Sequence, residues 1–236
     1  DFFFTGYRNG SITRVDERSG VVVSVLAADG FGSFRGMTLG PDGLLYVSAL
    51  RYFSDQFARW GVYRFDPRDD SLVDVWLENV MLDDITFGPD GKFYGVSGWS
   101  GSLQQFNGSS GAFERVVLPT MDGIWNFGPF LLLNDETIIA ATNSRQLAKF
   151  DTITGAATGH VIDLEALGYQ GFGFDSLAVG ASGELFASYN FRGRGGVLPD
   201  GGVLRIDPSN LQILETIIEG LPASGALSGG KNGLAF

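Results

Sequence analysis

The tetrapeptide Gly-Pro-Asp-Gly occurs twice, at 40–43 and 88–91, each time between an apolar triplet and a short apolar run. Pro presets the first corner of a β-turn, Asp can bond its own backbone, and Gly takes the positive φ. Degenerate copies follow. Phe130-Leu131-Leu132 leads through Leu133-Asn134-Asp135-Glu136 into Thr137-Ile138-Ile139-Ala140, and Leu177-Ala178-Val179 leads through Gly180-Ala181-Ser182-Gly183 into Glu184-Leu185-Phe186-Ala187. Asn232-Gly233-Leu234-Ala235-Phe236 repeats the strand before the turn. The last strand residues, Leu39, Phe87, Leu132, Val179 and Phe236, are spaced by 48, 45, 47 and 57. Short strands repeating every ~40–50 residues are the signature of a β-propeller.

The repeat therefore predicts an all-β chain, a five-bladed β-propeller of four-stranded antiparallel blades, as a single domain over 1–236. Asp1 falls on the position of Gly43 and Phe236 on that of Leu39. The expected ring is closed by the C-terminal strand completing the N-terminal blade, which removes open sheet edges. The blades are expected at 232–236 with 1–28, then 35–78, 83–118, 128–163 and 175–219. A second turn recurs at Asp16, Asp66, Asn107, Asp151 and Asp207, each leading a short polar run. A row of carboxylates could suggest metal, but one on each blade reads as an Asx-turn bonding its own backbone amides.

Net charge is −11, which disfavours nucleic acid as a partner. With no cysteine, disulfides and thiolate chemistry are excluded. No apolar run is long enough for a membrane helix, so membrane insertion is not expected. The chain begins with Asp rather than Met, as after removal of an export signal or as a segment of a longer protein, and the expected location is extracellular or at the cell surface. His160, the sole histidine, lies in an expected outer strand, away from any mouth where a general base is needed.

In a propeller, connections from second to third strands share a face with connections from outer to next inner strands. Both long second-to-third connections, 50–60 and 191–201, would lie there. That face would gather Tyr52, Phe53, Phe57, Arg59, Trp60, Trp99, Trp125, Phe172, Phe191 and Arg192. Aromatic rings with arginines are the usual material of binding surfaces. The channel mouth would present Arg35, Asp83, Asp84, Asp175 and Asn232, with Asn126 nearby; Asp84, Asp175 and Asn126 are candidate oxygen ligands for calcium.

The apolar triplet, Gly40-Pro41-Asp42-Gly43, Leu45-Tyr46-Val47 and Val62-Tyr63-Arg64-Phe65-Asp66-Pro67 together resemble the NHL-repeat propellers, the gluconolactonase (senescence-marker) family and the streptogramin-lyase-like propellers. The resemblance implies a propeller fold over nearly the whole chain. In gluconolactonase-like proteins a Glu, an Asn and an Asp hold a metal at the mouth. Asp175 and Asn126 would match two of these, and no Glu stands at an inner-strand start. Those families have six or seven blades where five are counted here. The expectation is a non-catalytic, secreted or surface module that binds a protein or glycan partner, or copies of itself, without a cofactor. The alternatives are a calcium-dependent lactonase-like hydrolase and a propeller lectin.

Overall fold

The Gly-Pro-Asp-Gly turns do what their residues dictate. Gly43 and Gly91 sit at φ 80° and 73°, and their N–H groups donate to the carbonyls of Gly40 and Gly88 at 3.0 Å. The Asp42 and Asp90 carboxylates accept from the N–H groups of Leu44 and Lys92. Each carboxylate also accepts a phenolic O–H four residues on, from Tyr46 at 3.0 Å and Tyr94 at 2.7 Å.

The computed structural model describes residues 2–5, 11–15, 22–27, 30–53, 57–119, 129–134, 136–142, 145–180, 183–191 and 201–221. They form antiparallel meanders in chain order. The first sheet holds β1 (Phe2–Thr5), β2 (Ser11–Val15) and β3 (Val22–Ala27). The second holds β4 (Phe31–Leu39), β5 (Leu45–Tyr52), β6 (Ala58–Asp66) and β7 (Ser71–Glu78). The third holds β8 (Leu82–Phe87), β9 (Phe93–Ser97), β10 (Leu103–Phe106) and β11 (Phe113–Leu118). The fourth holds β12 (Phe130–Leu132), β13 (Thr137–Thr142), β14 (Gln146–Asp151) and β15 (Ala157–Asp163). The fifth holds β16 (Phe172–Val179), β17 (Leu185–Phe191), β18 (Gly201–Ile206) and β19 (Ile213–Leu221).

Four sheets are thus complete four-stranded blades, not the five expected. The first sheet has three strands among the described residues. In a ring closed as expected, its fourth strand would come from the far end of the chain. The segment expected to provide it, 232–236, lies outside the described residues, and with it the ring closure. The chain divides into two compact units, one with β1–β11 and the other with β12–β19.

Within each unit the core lies between sheets. Ile12 meets Phe34, Met37, Val47 and Tyr63 between the first two sheets. Tyr46, Val62, Leu82, Ile85 and Phe93 fill the space between the second and third, with Trp76 edge-on to Tyr46 and Phe93 at 5.0 and 4.8 Å. In the other unit Ile139, Leu147, Phe174, Leu177 and Leu204 form the equivalent layer. All five residues of β9 are buried, and the first five of β5. Sheets covered on both faces lose the apolar–polar alternation of a half-exposed strand, and each large apolar side chain so buried stabilises by about 1.5–3 kcal/mol.

The third strands carry a cation or amide two residues before the Asp or Asn that leads the next turn: Arg14, Arg64, Gln105, Lys149 and Arg205. Arg64 and Arg205 pair with Asp74 and Glu215 opposite them on their own outer strands. Gln105 accepts from Arg115 at 2.7 Å. Arg14 and Lys149 instead reach the following sheet. Arg14 donates to the carbonyl of Pro67, and Lys149 donates to the carbonyls of Pro208 and Ser209 at 3.0 Å.

Candidate functional site

The inner strands are bulged at their starts. Phe34 pairs with Ala49 and Met37 with Val47, so Arg35-Gly36 holds an extra residue. Leu82 pairs with Ser97 and Ile85 with Gly95, so Asp83-Asp84 does the same. Phe174 pairs with Tyr189 and Ser176 with Ser188, which leaves Asp175 as the extra residue of β16. The same irregularity thus recurs at equivalent positions in three blades, and a bulge re-aims the side chains it carries. The residues expected before the inner strands lie within them instead, because the strands pass through these charged positions as bulges.

The bulges of β4 and β8 meet. The Arg35 guanidinium donates to the Asp83 carboxylate of the next blade and lies over the Trp60 ring, 4.8 Å from its centroid. Gly36 packs on the second bulge: a Cβ there would lie 2.8 Å from the Ile85 nitrogen and 2.9 Å from Asp84 Cα. Asp84 is buried, and its carboxylate accepts from the Ile85 N–H at 3.0 Å.

The connection 50–60 is largely strand, not loop. Leu50 pairs with Trp60, Arg51 with Arg59 and Tyr52 with Ala58. This extended hairpin positions Phe53, with Arg51 over its ring at 5.4 Å and Arg59 at 5.3 Å. Arg51 also lies over Phe31 at 5.2 Å. Phe53, Arg59, Trp60, Tyr63, Val75, Glu78 and Asn79 line a recess of about 90 Å³. Burial pushes the Tyr63 phenol up from its ordinary range, so it keeps its proton and donates to the Arg59 carbonyl at 3.5 Å. The sequence gives this recess away only in part. Phe53, Arg59 and Trp60 stand out as a cluster, whereas Glu78 and Asn79 arrive from the end of β7 without any motif.

Trp99 occupies the tip of the next hairpin. Gly101 N–H donates to the Ser97 carbonyl at 2.7 Å, Ser100 N–H to the Ser97 hydroxyl at 3.3 Å, and the Ser100 and Ser102 hydroxyls share a bond of 2.7 Å. Gly98 N–H ties the tip to the Met81 carbonyl at 2.8 Å. Trp99 is 71 % exposed, Phe57 65 % and Tyr52 53 %.

The other expected site residues divide. Phe172 belongs to the second unit, opens β16 and packs edge-on to Tyr169 and Tyr189 at 5.9 and 5.7 Å; it is a packing residue. Phe191 ends β17 and Asp175 lies in β16. Trp125, Asn126 and Arg192 lie outside the described residues. Among the described residues no three His, Cys, Asp or Glu side chains gather as a metal-holding group. His160 lies in β15, the outer strand of its blade.

Over 97 % of its length the chain is similar to the extracellular domain of BT4673 from B. thetaiotaomicron, at 17 % identity and a TM-score of 0.55, and it spans 28 % of that chain. It is similar to the Neurospora crassa Pan2 WD40 domain over 90 % of its own length and 61 % of that chain, at 15 % identity and a TM-score of 0.56. Virginiamycin B lyase from Staphylococcus aureus matches 92 % of the chain over 67 % of its own, at 14 % identity and a TM-score of 0.52. The fold is that of a β-propeller. These neighbours span propellers of several kinds and do not single out the NHL-repeat or gluconolactonase-like group. No family model matches the sequence, and no curated protein matches it.

Proposed function

We propose that the chain is a non-catalytic binding or assembly module, displayed outside the cell, that holds its partner on the hairpin ends of β5–β6 and β9–β10. The partner is a protein, a glycan or another copy of the chain. The observation that carries this reading is the exposure of Tyr52 and Phe57 at the end of the strands that carry the Phe53–Trp60 recess, and of Trp99 between β9 and β10. Aromatic anchors surrounded by arginine are what binding surfaces are built from. Likeness to an extracellular domain supports the location. No helix among the described residues is long and apolar enough to cross a membrane.

The test is a variant with Tyr52→Ser, Phe57→Ser and Trp99→Ser together. It should melt as the parent does, since none of the three rings is buried, and it should lose self-association in light scattering or binding to an immobilised partner panel. Turnover of a lactone or ester by the parent protein, abolished by Asp84→Asn and by removal of calcium, would replace this reading with a hydrolase.

A further inference from the structure

We infer that the recess lined by Trp60 and Glu78 seats the acetamido group of an N-acetylated hexosamine in a glycan. This rests on the binding role proposed above and names the ligand class. Size is the first constraint. The recess measures about 90 Å³, against roughly 150 Å³ for a cavity that admits a benzene. It has room for about three or four heavy atoms, since a water takes ~30 Å³ in the liquid. One small pendant group enters, and the rest of the ligand stays outside.

Charge is the second. Burial is the main cause of the raised Tyr63 phenol, but Arg51 and Arg59 act on it in one direction and Glu78 in the other. The ionised groups around the recess therefore offset one another, and neither an incoming anion nor an incoming cation finds an unanswered opposite charge. An ammonium would also compete with the guanidinium groups already over Phe53 and Trp60, those of Arg51, Arg59 and Arg35. The group that enters is neutral.

Hydrogen bonding is the third. Phe53, Trp60, Tyr63 and Val75 supply apolar wall, and Glu78 and Asn79 the polar edge. Both polar residues are exposed, and among the described residues neither side chain makes a hydrogen bond. A carboxylate only accepts, and an amide does both. The matching group has a small apolar end, a donor for Glu78 and an acceptor for the Asn79 amide N–H. The methyl, N–H and carbonyl of an acetamido group meet all three demands; a hydroxymethyl lacks the apolar end and a methyl ether lacks the donor. Asn79 holds a left-handed backbone at φ 58°, where glycine costs less; what asparagine adds over glycine is an amide at the rim. The Phe53 N–H donates to the Phe57 carbonyl at 3.0 Å, which sets Phe57 opposite Phe53 on the same face of the hairpin. Its ring is 65 % exposed and suits the C–H face of a pyranose. An acetylated lysine brings the same group on a long flexible stem, whose ordering costs affinity.

The experiment titrates the intact chain by calorimetry with an N-acetylglucosamine trimer, the glucose trimer of the same linkage, the N-propionyl analogue and an acetyllysine peptide. The acetylated trimer should bind about tenfold more tightly than the glucose trimer, the effect of one hydrogen bond to a charged group. The propionyl analogue should fall to the glucose level, because the recess has no room for the added carbon. Glu78→Ala and Asn79→Gly should each bring the acetylated trimer down toward the glucose trimer. Both variants should melt no earlier than the parent, since the Glu78 side chain is exposed and glycine relaxes the backbone at 79. Equal binding of the acetylated trimer and either analogue, or unchanged binding by either variant, overturns the acetamido assignment and leaves the binding role standing. Binding of the peptide alone overturns the glycan and puts a protein partner in its place. Silence with all four probes overturns the inference. The broader binding role falls as well only if the triple serine variant also behaves as the parent in mass and partner capture.

Discussion

Asp70 and Leu211 close equivalent turns in the same left-handed backbone, at φ 61° and 56°, where Gly111 and Gly155 stand in two other blades. That conformation costs a residue with a Cβ about 1–2 kcal/mol. Asp70 is partly exposed and has only a 3.7 Å ion pair with Arg14 to offset it. Leu211 is buried in the core of its unit. Asp70→Gly should therefore raise stability by up to about 1 kcal/mol, while Leu211→Gly should lower it by about 1–3 kcal/mol, because lost burial outweighs relieved strain. Urea midpoints of opposite sign would confirm the pair of predictions. The turn leaders were legible from sequence. Asp66, Asn107, Asp151 and Asp207 each accept backbone N–H groups two residues on, as an Asx-turn requires. The Asp42–Tyr46 and Asp90–Tyr94 contacts were missed, although the equal four-residue spacing in both copies was a usable signal. Asp74 has a different role. Its hydrogen bond from Arg64 holds its carboxyl below the ordinary 3.8. A lowered folded-state value contributes stability that is present above the unfolded pKa and lost as pH falls. The gap in melting temperature between parent and Asp74→Asn should be widest near neutrality and close as pH drops below 3.8. A gap that persists at low pH would assign the effect to packing.

Elements were legible where turn chemistry marks them and illegible where a strand runs through charge. Ser11–Val15 and Phe93–Ser97 lie where the repeat puts them. β4 starts at Phe31 and β8 at Leu82, upstream of the expected positions, because Arg35-Gly36 and Asp83-Asp84 interrupt the apolar pattern without interrupting the ladder. The hairpin of β5 and β6 gives no strand signal in the sequence for a related reason: Arg51, Tyr52 and Arg59 look like surface. Two glycines separate the two kinds of constraint. At Gly43 nothing lies within 4 Å of an added Cβ, so Gly43→Ala should cost only the backbone term, about 1 kcal/mol. At Gly36 the added carbon meets the backbone of the neighbouring bulge, and Gly36→Ala should cost more, about 1–3 kcal/mol, with the Trp60 environment altered as Arg35 shifts. Denaturation followed by tryptophan fluorescence reads both at once; equal costs would mean that the bulges yield easily.

At the scale of the whole molecule, the propeller class and its repeat period could be read from one recurring turn, whereas the number of complete blades could not. Each blade announces itself locally, and the segment that the repeat assigns to complete the first, 232–236, lies outside the described residues. The calcium reading is likewise a matter of distant residues, since Asp84 and Asp175 belong to different blades. A chelator should not change the melting temperature; a loss restored by added calcium would bring the Asp84, Asp175 and Asn126 set back into play. The third-strand cations carry a consequence for the chain's history. Arg14 and Lys149 grip the turns of the sheets that follow them, and both of those turns have proline in second place, Pro67 and Pro208. Where the next turn reads Asn107-Gly108 instead, Arg64 turns inward to Asp74. The contacts of Arg14 and of Lys149 are therefore each written half in the preceding repeat and half in the succeeding one. A blade copied alone leaves such a contact behind, whereas the adjacent pair that shares it carries the contact along.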